Sequence, residues 1–476
     1  MANKDGTWSI ELNNFSNGFA PLAFADSLTE LGNGGHASVM QNVDILDGDL
    51  TQGPGLADLT NGTQAGAVTE LIQFIMDKAV AADVTYAIGT SKLFQLSSTA
   101  VTNAGIWPHA ITSCTEGESI QVLKGNLYYF YNTASAGLIG KYDLNTTFTD
   151  NWQGGLQIAP HPSDKKEDIM VFGNGRYAGV YIEGSASMTV DKLDFGNDCQ
   201  VDDVLYNAGF WYLAVNSGVT GTNRTEGQIY LYDGAALINT LTDEAGVGFQ
   251  RIGFLYRVNG IVYVAYQDLT SSGFIIGYIN GKSITPLRRF TGTLPNFQQK
   301  TLYKNTILFL SSGLVYSAGA MVGELPYQLS QHADGGHATV GAIAAPFGTP
   351  MISSFNGTTG YRLAKFSGYD TACSWKSIVF PLSLGKFKGY IDEIIVLTRT
   401  LGSGASCALT IETDQASATN TAKTITTTGK RRHYFTNFGI NGIEDFRVAL
   451  SWAGGSTSNP VTIRSIKING HFTENT

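Results

Sequence analysis

Residues 203–216 read DVLYNAGFWYLAVN. In an extended chain Val204 and Tyr206 face one way, and Leu205 and Asn207 the other. A turn follows at Asn207-Ala208-Gly209, then a second aromatic, β-rich run from Phe210 to Val215. That is the pattern of one antiparallel hairpin. A lone hairpin is marginal in water, so this one needs sheets to pack against.

The same grammar recurs along the chain. It stands at 119–131 (SIQVLKGNLYYFY), 168–182 (DIMVFGNGRYAGVYI), 252–266 (IGFLYRVNGIVYVAY) and 300–310 (KTLYKNTILFL). Weaker copies occupy 71–89 and 343–357, and further apolar runs follow at 92–96, 137–144, 227–234, 274–281 and 313–319. Each unit therefore reads as three strands, with room for a fourth. The second strands are expected to start near 85, 126, 176, 210, 261, 306 and 351, a mean spacing of about 44 residues, which suits propeller blades. Blades packed face to face around an axis give each hairpin a neighbour on both sides, which explains apolar residues on both faces. The expected fold is all-β, a β-propeller of about seven blades, with six or eight left open. The blade-ending Trp-Asp, the kelch glycine pair and the sialidase Asp box are absent.

Composition agrees. Only 14% of the 476 residues are charged and 43% are hydrophobic, with 56 Gly, 22 Tyr and 25 Phe, as tight turns and strands require. The net charge of -9 argues against non-specific nucleic-acid binding. Cys114, Cys199, Cys373 and Cys407 are too scattered for a disulfide framework or a zinc site, and read as free thiols. The start, MANKDGTWSIELNN, has no signal-peptide h-region, and no run approaches the roughly 18 apolar residues of a membrane span. Synthesis in a cytoplasm, with the product left soluble there, is the expectation.

The two ends differ from the middle. Residues 1–62 are rich in Gly, Asn and Asp and read as an extended arm, able to lend the propeller a closing strand or to bridge subunits. The propeller is expected over 63–370. From 371 to 476 the long alternating strands at 390–401, 407–414, 433–438, 445–452 and 461–470 suggest a jelly-roll-like β-sandwich.

The stretches GFAPLAF (18–24), QNVDILDGDLTQGPGLADLTNG (41–62) and VTELIQFI (68–75), with the plan of arm, propeller and sandwich, resemble the tail and tail-tip proteins of tailed-phage virions, including nozzle-like and receptor-facing ones. The resemblance covers the plan of the whole chain and is sharpest over Gln41–Gly62. It implies a symmetric, non-enzymatic virion ring with other tail proteins as partners, contributing to assembly and to host attachment or DNA passage. A carbohydrate- or receptor-binding protein and a propeller glycosidase are the alternatives.

No motif demands chemistry. Gly277–Ser283 is one residue short of a phosphate loop and sits in a hairpin. His332, Asp334 and His337 lack a fourth metal ligand, and Asp44, Asp47 and Asp49 lack EF-hand spacing. Asp202-Asp203 and Glu167-Asp168 are expected at blade edges facing water. No catalytic residue, metal or cofactor is expected. The candidate contacts for a ligand or partner lie in the C-terminal domain. Trp375 and Trp452, with Tyr434 and Phe435, are either glycan-stacking surfaces or core residues of alternating strands. Lys430, Arg431 and Arg432 are either a solvated turn or a patch for an acidic partner.

Overall fold

The computed structural model describes residues 6–13, 15, 37–45, 48–63, 72–75, 84–185, 188–218, 226–241, 251–267, 273–304, 306–318, 339–355, 360–382, 387–413, 422–438, 442–453 and 455–474. Among them are strands and turns and no α-helix. The chain divides into two units. One comprises Ala57–Leu314 and Gly336–Lys365, the other Met1–Leu56, Val315–Gly335 and Phe366–Thr476.

The first unit is a β-propeller. Antiparallel four-stranded sheets follow one another over 72–110, 116–156, 163–194, 200–241 and 252–290, then a three-stranded sheet whose last strand, Leu314–Ala318, runs past the division at Leu314. The sheet over 339–367 takes Gly55–Thr63 as its fourth strand, beside Tyr361–Ser367. The opening hairpin forms the first two strands of its sheet, Gln200–Asn207 and Phe210–Ser217. Its two-residue turn places Ala208 at φ 49° and Gly209 at φ 96°. Two successive positive φ values match the twist of the flanking strands, and Gly adopts the second without a Cβ clash.

Alternation along Phe210–Ser217 sorts its side chains between two neighbours. Trp211, Leu213 and Val215 pack with Val171 and Ala178 of the preceding sheet. Tyr212 and Ala214 pack with Ile252, Leu255 and Val262 of the following one. The 126–132 strand does the same. Tyr129 and Tyr131 meet Tyr86 and Ile88 behind, while Tyr128 and Phe130 meet Met170 and Phe172 ahead. The ring closes where Ala342, Met351 and Leu363 of the last sheet pack on Ile72, Ala87 and Phe94 of the first.

One reading of the repeat needs correction. The run 168–182 holds the second and third strands of its sheet, Ile169–Asn174 and Tyr177–Ile182, not the first and second. The true first strand is Ser163–Lys166, SDKK, which lines the polar channel and carries no apolar residue to betray it.

Among the described residues the second unit has a two-stranded sheet, Val43–Asp44 beside Thr51–Gln52, and two larger ones. In one, Phe387–Thr398 lies between Ile463–Glu474 and Arg432–Thr436, and Thr7–Leu12 covers the outer side of Ile463–Glu474. In the other, Asp445–Ser451 lies between Ser374–Ser377 and Cys407–Thr413, flanked outside by Ala37–Gln41 and Lys423–Ile425, while Phe380–Pro381 also pairs with Asp445–Ser451. Trp8 joins the layers, its ring 5.7 Å from that of Phe446 and its Nε1 donating to the His471 carbonyl at 3.2 Å.

Residues 1–62 are therefore not an arm where they are described. Thr7–Leu12 and Ala37–Gln41 are integral strands of the second unit, and only Gly55–Thr63 reaches the propeller sheet. The signal was present in TWSIEL, whose Trp8 and Leu12 are buried on alternate positions. The unit boundaries at Leu56 and Lys365 fall six and five residues before the expected 62 and 370. The GFAPLAF stretch lies outside the described residues.

Truncating the buried Trp8 (2% exposed) to Ala should cost about 3–5 kcal/mol. Differential scanning calorimetry should show the second unit melting earlier and the propeller transition unmoved.

Candidate functional site

The innermost strands of successive propeller sheets surround a polar channel. Two cavities open along it, about 300 and about 490 Å³. Glu116, Glu118, Asp202 and Arg251 line the first, Asp164, Asp203, Arg257 and Lys300 the second, and Phe297 lines both.

Backbone irregularity places the acids. In the strand Glu116–Leu123 the register shifts between Gly117 and Ser119, so Glu118 is an extra residue. In Gln200–Asn207 it shifts between Val201 and Asp203, so Asp202 is its counterpart. Bulges of this kind re-aim side chains. An asparagine secures each one. Asn132 Nδ2 donates to Glu118 Oε1 at 2.8 Å, and Asn216 Nδ2 donates to Asp202 Oδ2. Asn216 also clasps the next sheet, donating to the Ile252 carbonyl at 2.8 Å and accepting from its N–H at 2.7 Å. Asn174, at the matching end of its second strand, accepts from Gln157 N at 2.7 Å and donates to the Val190 carbonyl of its own sheet at 2.9 Å. Positions 132, 174 and 216 are 42 apart, a repeat that the apolar pattern of the strands masks.

The expectation that Asp202-Asp203 face water is corrected, since the two are 6% and 2% exposed. The bulge turns both into the channel wall. Asp203 accepts from Val204 N at 2.9 Å and from Leu255 N of the next sheet at 2.6 Å, and pairs with Lys300. Lys300 Nζ also donates to the Leu255 carbonyl at 2.7 Å. Asp164 accepts from Tyr206 N of the next sheet at 2.7 Å. Burial pushes the Asp203 carboxyl up, against the pull of Lys300 and the two amides. Burial, then Glu116, raises Glu118 well above the usual carboxylate range. Asp203 and Asp164 thus bind backbone across sheet boundaries and clasp one sheet to the next.

His161 is fully buried in the same unit and its Nδ1 lies 2.9 Å from the Gly173 carbonyl, which can only accept, so Nδ1 carries the proton. Burial pushes its pKa down to about 4, against the Gly173 and Gln157 carbonyls.

The candidates in the second unit separate sharply. Trp375 and Trp452 are both 0% exposed, which corrects the glycan-stacking option. Trp375 packs edge-on against Phe15 at 5.4 Å, and Trp452 Nε1 donates to the Val461 carbonyl at 3.2 Å. Tyr434 is exposed and Phe435 half-buried. Lys430, Arg431 and Arg432 are exposed at the turn leading into Arg432–Thr436. Arg431 faces a groove with Arg399, Arg464 and Asp49, residues that sequence spacing did not bring together. Arg432 instead donates to the Tyr434 hydroxyl at 3.2 Å. Asp49, considered for calcium, is bound by Arg399 at 2.8 Å. Asp47 and the His332–His337 loop lie outside the described residues, and among the described ones no three His, Cys, Asp or Glu gather as metal ligands. All four cysteines are free thiols, and burial pushes Cys373 up to about 12.

No protein-family model matches the chain, and no curated protein sequence does. Solved structures resemble it at low identity. The extracellular domain of a hybrid two-component system from B. thetaiotaomicron aligns with TM-score 0.47 and 9% identity, covering 82% of this chain and 48% of that one, so the chain spans about half its length. The Cps50 (Swd1) β-propeller domain of Myceliophthora thermophila aligns with TM-score 0.43 and 9% identity, over 62% of this chain and 97% of that one. The Pan2 WD40 domain of Neurospora crassa aligns with TM-score 0.41 and 9% identity, over 67% and 95%.

Two predictions test the channel. Replacing Lys300 with Met strands a buried carboxylate and should cost about 3–5 kcal/mol in denaturant unfolding. Adding Asp203→Asn to it should recover part of that loss, because the uncompensated charge is gone. The second concerns pH. The folded His161 pKa of about 4 lies below the unfolded value near 6.5, so the unfolded chain takes the proton first. Stability present above the unfolded value is lost as pH falls toward the folded one, by up to about 1.4 kcal/mol per pH unit. His161→Gln should flatten that part of the stability-against-pH curve relative to the parent.

Proposed function

We propose that this chain is a non-enzymatic structural component of a tailed-phage virion, a symmetric ring at the tail or tail tip that serves assembly and either host attachment or DNA passage. In this reading the propeller has seven blades, one for each of its successive sheets, and the second unit is a jelly-roll-like sandwich. Its partners are further copies of itself and other tail proteins.

One observation carries the reading. The stretch of sharpest resemblance, Gln41–Gly62, is a constrained junction in the fold. Asn42, at φ 47°, donates through Nδ2 to Asp370 Oδ2 at 2.6 Å. Gln52 Nε2 donates to the Asp370 carbonyl at 2.7 Å, and its Oε1 accepts from Val461 N at 3.3 Å. Gly53 donates to the Asn42 carbonyl at 2.7 Å and accepts from Asp370 N at 2.9 Å. A Cβ on Gly53 would fall 2.3 Å from Asn42 Oδ1, so only glycine fits. These residues tie the segment that leads into Gly55–Thr63 to the segment that follows Tyr361–Ser367. The channel agrees with the non-enzymatic part in that Asp203 is committed to Lys300 and the Leu255 backbone, and Asp164 to the Tyr206 backbone.

Light scattering and negative-stain microscopy of the purified full chain should show a ring of defined symmetry. A monomer at every concentration up to the solubility limit would sink the ring. Release of reducing ends from a panel of polysaccharides would sink the non-enzymatic reading.

A further inference from the structure

The second unit gathers three arginines from three strand ends into one groove. Arg399 directly follows Phe387–Thr398, and Arg431 directly precedes its neighbour Arg432–Thr436. Arg464 lies on the other neighbour, Ile463–Glu474, at a bulge. The register runs Leu397 to Ser465 and then Thr398 to Ile463, leaving Arg464 with no residue opposite. Such a bulge turns a side chain out of the regular alternation. Asp49 sits among the three, held in place by the backbone pairing of Leu50 with Ile463.

The geometry is that of a charged cradle. Arg399 Nε and Nη2 both lie 2.8 Å from Asp49 Oδ2, and Arg464 Nε lies 3.9 Å from Oδ1. Arg431 Nε donates to Thr400 Oγ1 at 2.7 Å, which orients its guanidinium. Asp49 is 17% exposed at the base, while Arg399 and Arg464 are 58% and 66% exposed. Two adjoining cavities, about 410 and about 460 Å³, share Asp49, Thr398, Arg431 and Arg464. One carboxylate offsets one of three positive charges, so the groove keeps an excess of two on a chain whose net charge is -9. Glu11 lines the far rim of the second cavity and stands opposite Lys467 in the strand register.

Bringing three guanidinium groups together is unfavourable unless anions meet them, and their planar forks match carboxylate, phosphate and sulfate oxygens. The rest of the lining is hydroxyl-bearing (Thr398, Thr400, Ser465), with Leu397 as the apolar exception. A protein partner would want an apolar, aromatic centre, and duplex DNA a longer basic stripe. We propose that the Arg399–Arg431–Arg464 groove binds an acidic glycan through its carboxylate, phosphate or sulfate groups. The choice of a glycan as the source of the oxyanion rests on the host-facing reading above, whereas the groove stands on its own geometry.

Calorimetric titration of the full chain separates the outcomes. The probes are a sulfated hexasaccharide, an oligogalacturonate, inorganic phosphate, duplex DNA and a polyglutamate peptide. At least one of the two acidic saccharides should bind, and more weakly as salt is raised. Arg431→Ala with Arg464→Ala should weaken that binding by about tenfold or more, and Arg464→Lys by less, because it keeps the charge and loses the fork. Lys430→Ala with Arg432→Ala, the rest of the basic run, should leave it within about twofold, since neither side chain lines the groove. Unchanged melting temperatures confirm that the variants fold. The proposal is overturned if neither saccharide binds, or if the control pair loses as much as the groove pair. It is also overturned if phosphate alone binds as well as the saccharides, or if DNA or polyglutamate binds more tightly. Loss of the ring in light scattering would overturn the assembly reading and leave this result untouched.

Discussion

A ring of sheets has to be closed by covalent accident or by strand pairing, and here pairing between distant segments does it. Gly55–Thr63 completes the sheet whose other strands begin at Thr339, and that sheet packs on the one beginning at Ile72. The second unit is closed the same way, with Thr7–Leu12 running beside Ile463–Glu474. Loop-closure entropy grows only logarithmically with length, so joining such distant strands costs a few kcal/mol more than a local hairpin does. In return two edges that would template aggregation are covered. Each unit waits on strands far apart in sequence, which implies slow folding dominated by non-local contacts.

Given closure, alternation does the rest. Each second strand serves two interfaces at once, as Trp211 and Ala214 do on opposite faces of one strand. Neither face meets water, so the polar-apolar alternation of a surface sheet is replaced by near-continuous apolar runs. Those runs were legible in the sequence, and the X-Gly turns between them set the register. What was not legible follows from the same physics. The first strand Ser163–Lys166 faces the channel, where polarity is favoured, and so it looks like a loop. TWSIEL is a six-residue edge strand that has meaning only beside a partner more than 450 residues away.

The candidate site shows a similar split. Sequence spacing singled out Lys430, Arg431 and Arg432 because they are adjacent, yet adjacent residues on a strand diverge. Arg431 joins the groove and Arg432 turns to Tyr434. The residues that converge, Arg399 and Arg464, come from neighbouring strands, and one of them depends on a bulge. Aromatic residues misled in the opposite direction. Trp375 and Trp452 drew notice as large side chains in a sandwich, and both proved to be core.

Charge is thus used in two ways in one acidic chain. In the propeller, Asp164 and Asp203 are drawn inward and spent on backbone N–H groups of the adjoining sheet, where a low dielectric makes each bond strong and each loss severe. In the second unit Asp49 does the reverse. It sits at the base of a cluster of exposed arginines and neutralises too little of their charge to complete it. A buried aspartate with its amides and lysine satisfied has no further demand to make of a ligand. An exposed triad of guanidinium groups around a single carboxylate does, and its remaining donors point to solvent-borne oxyanions. The proposed recognition of an oxyanion therefore falls to the second unit, while Asp164 and Asp203 hold adjoining propeller sheets together.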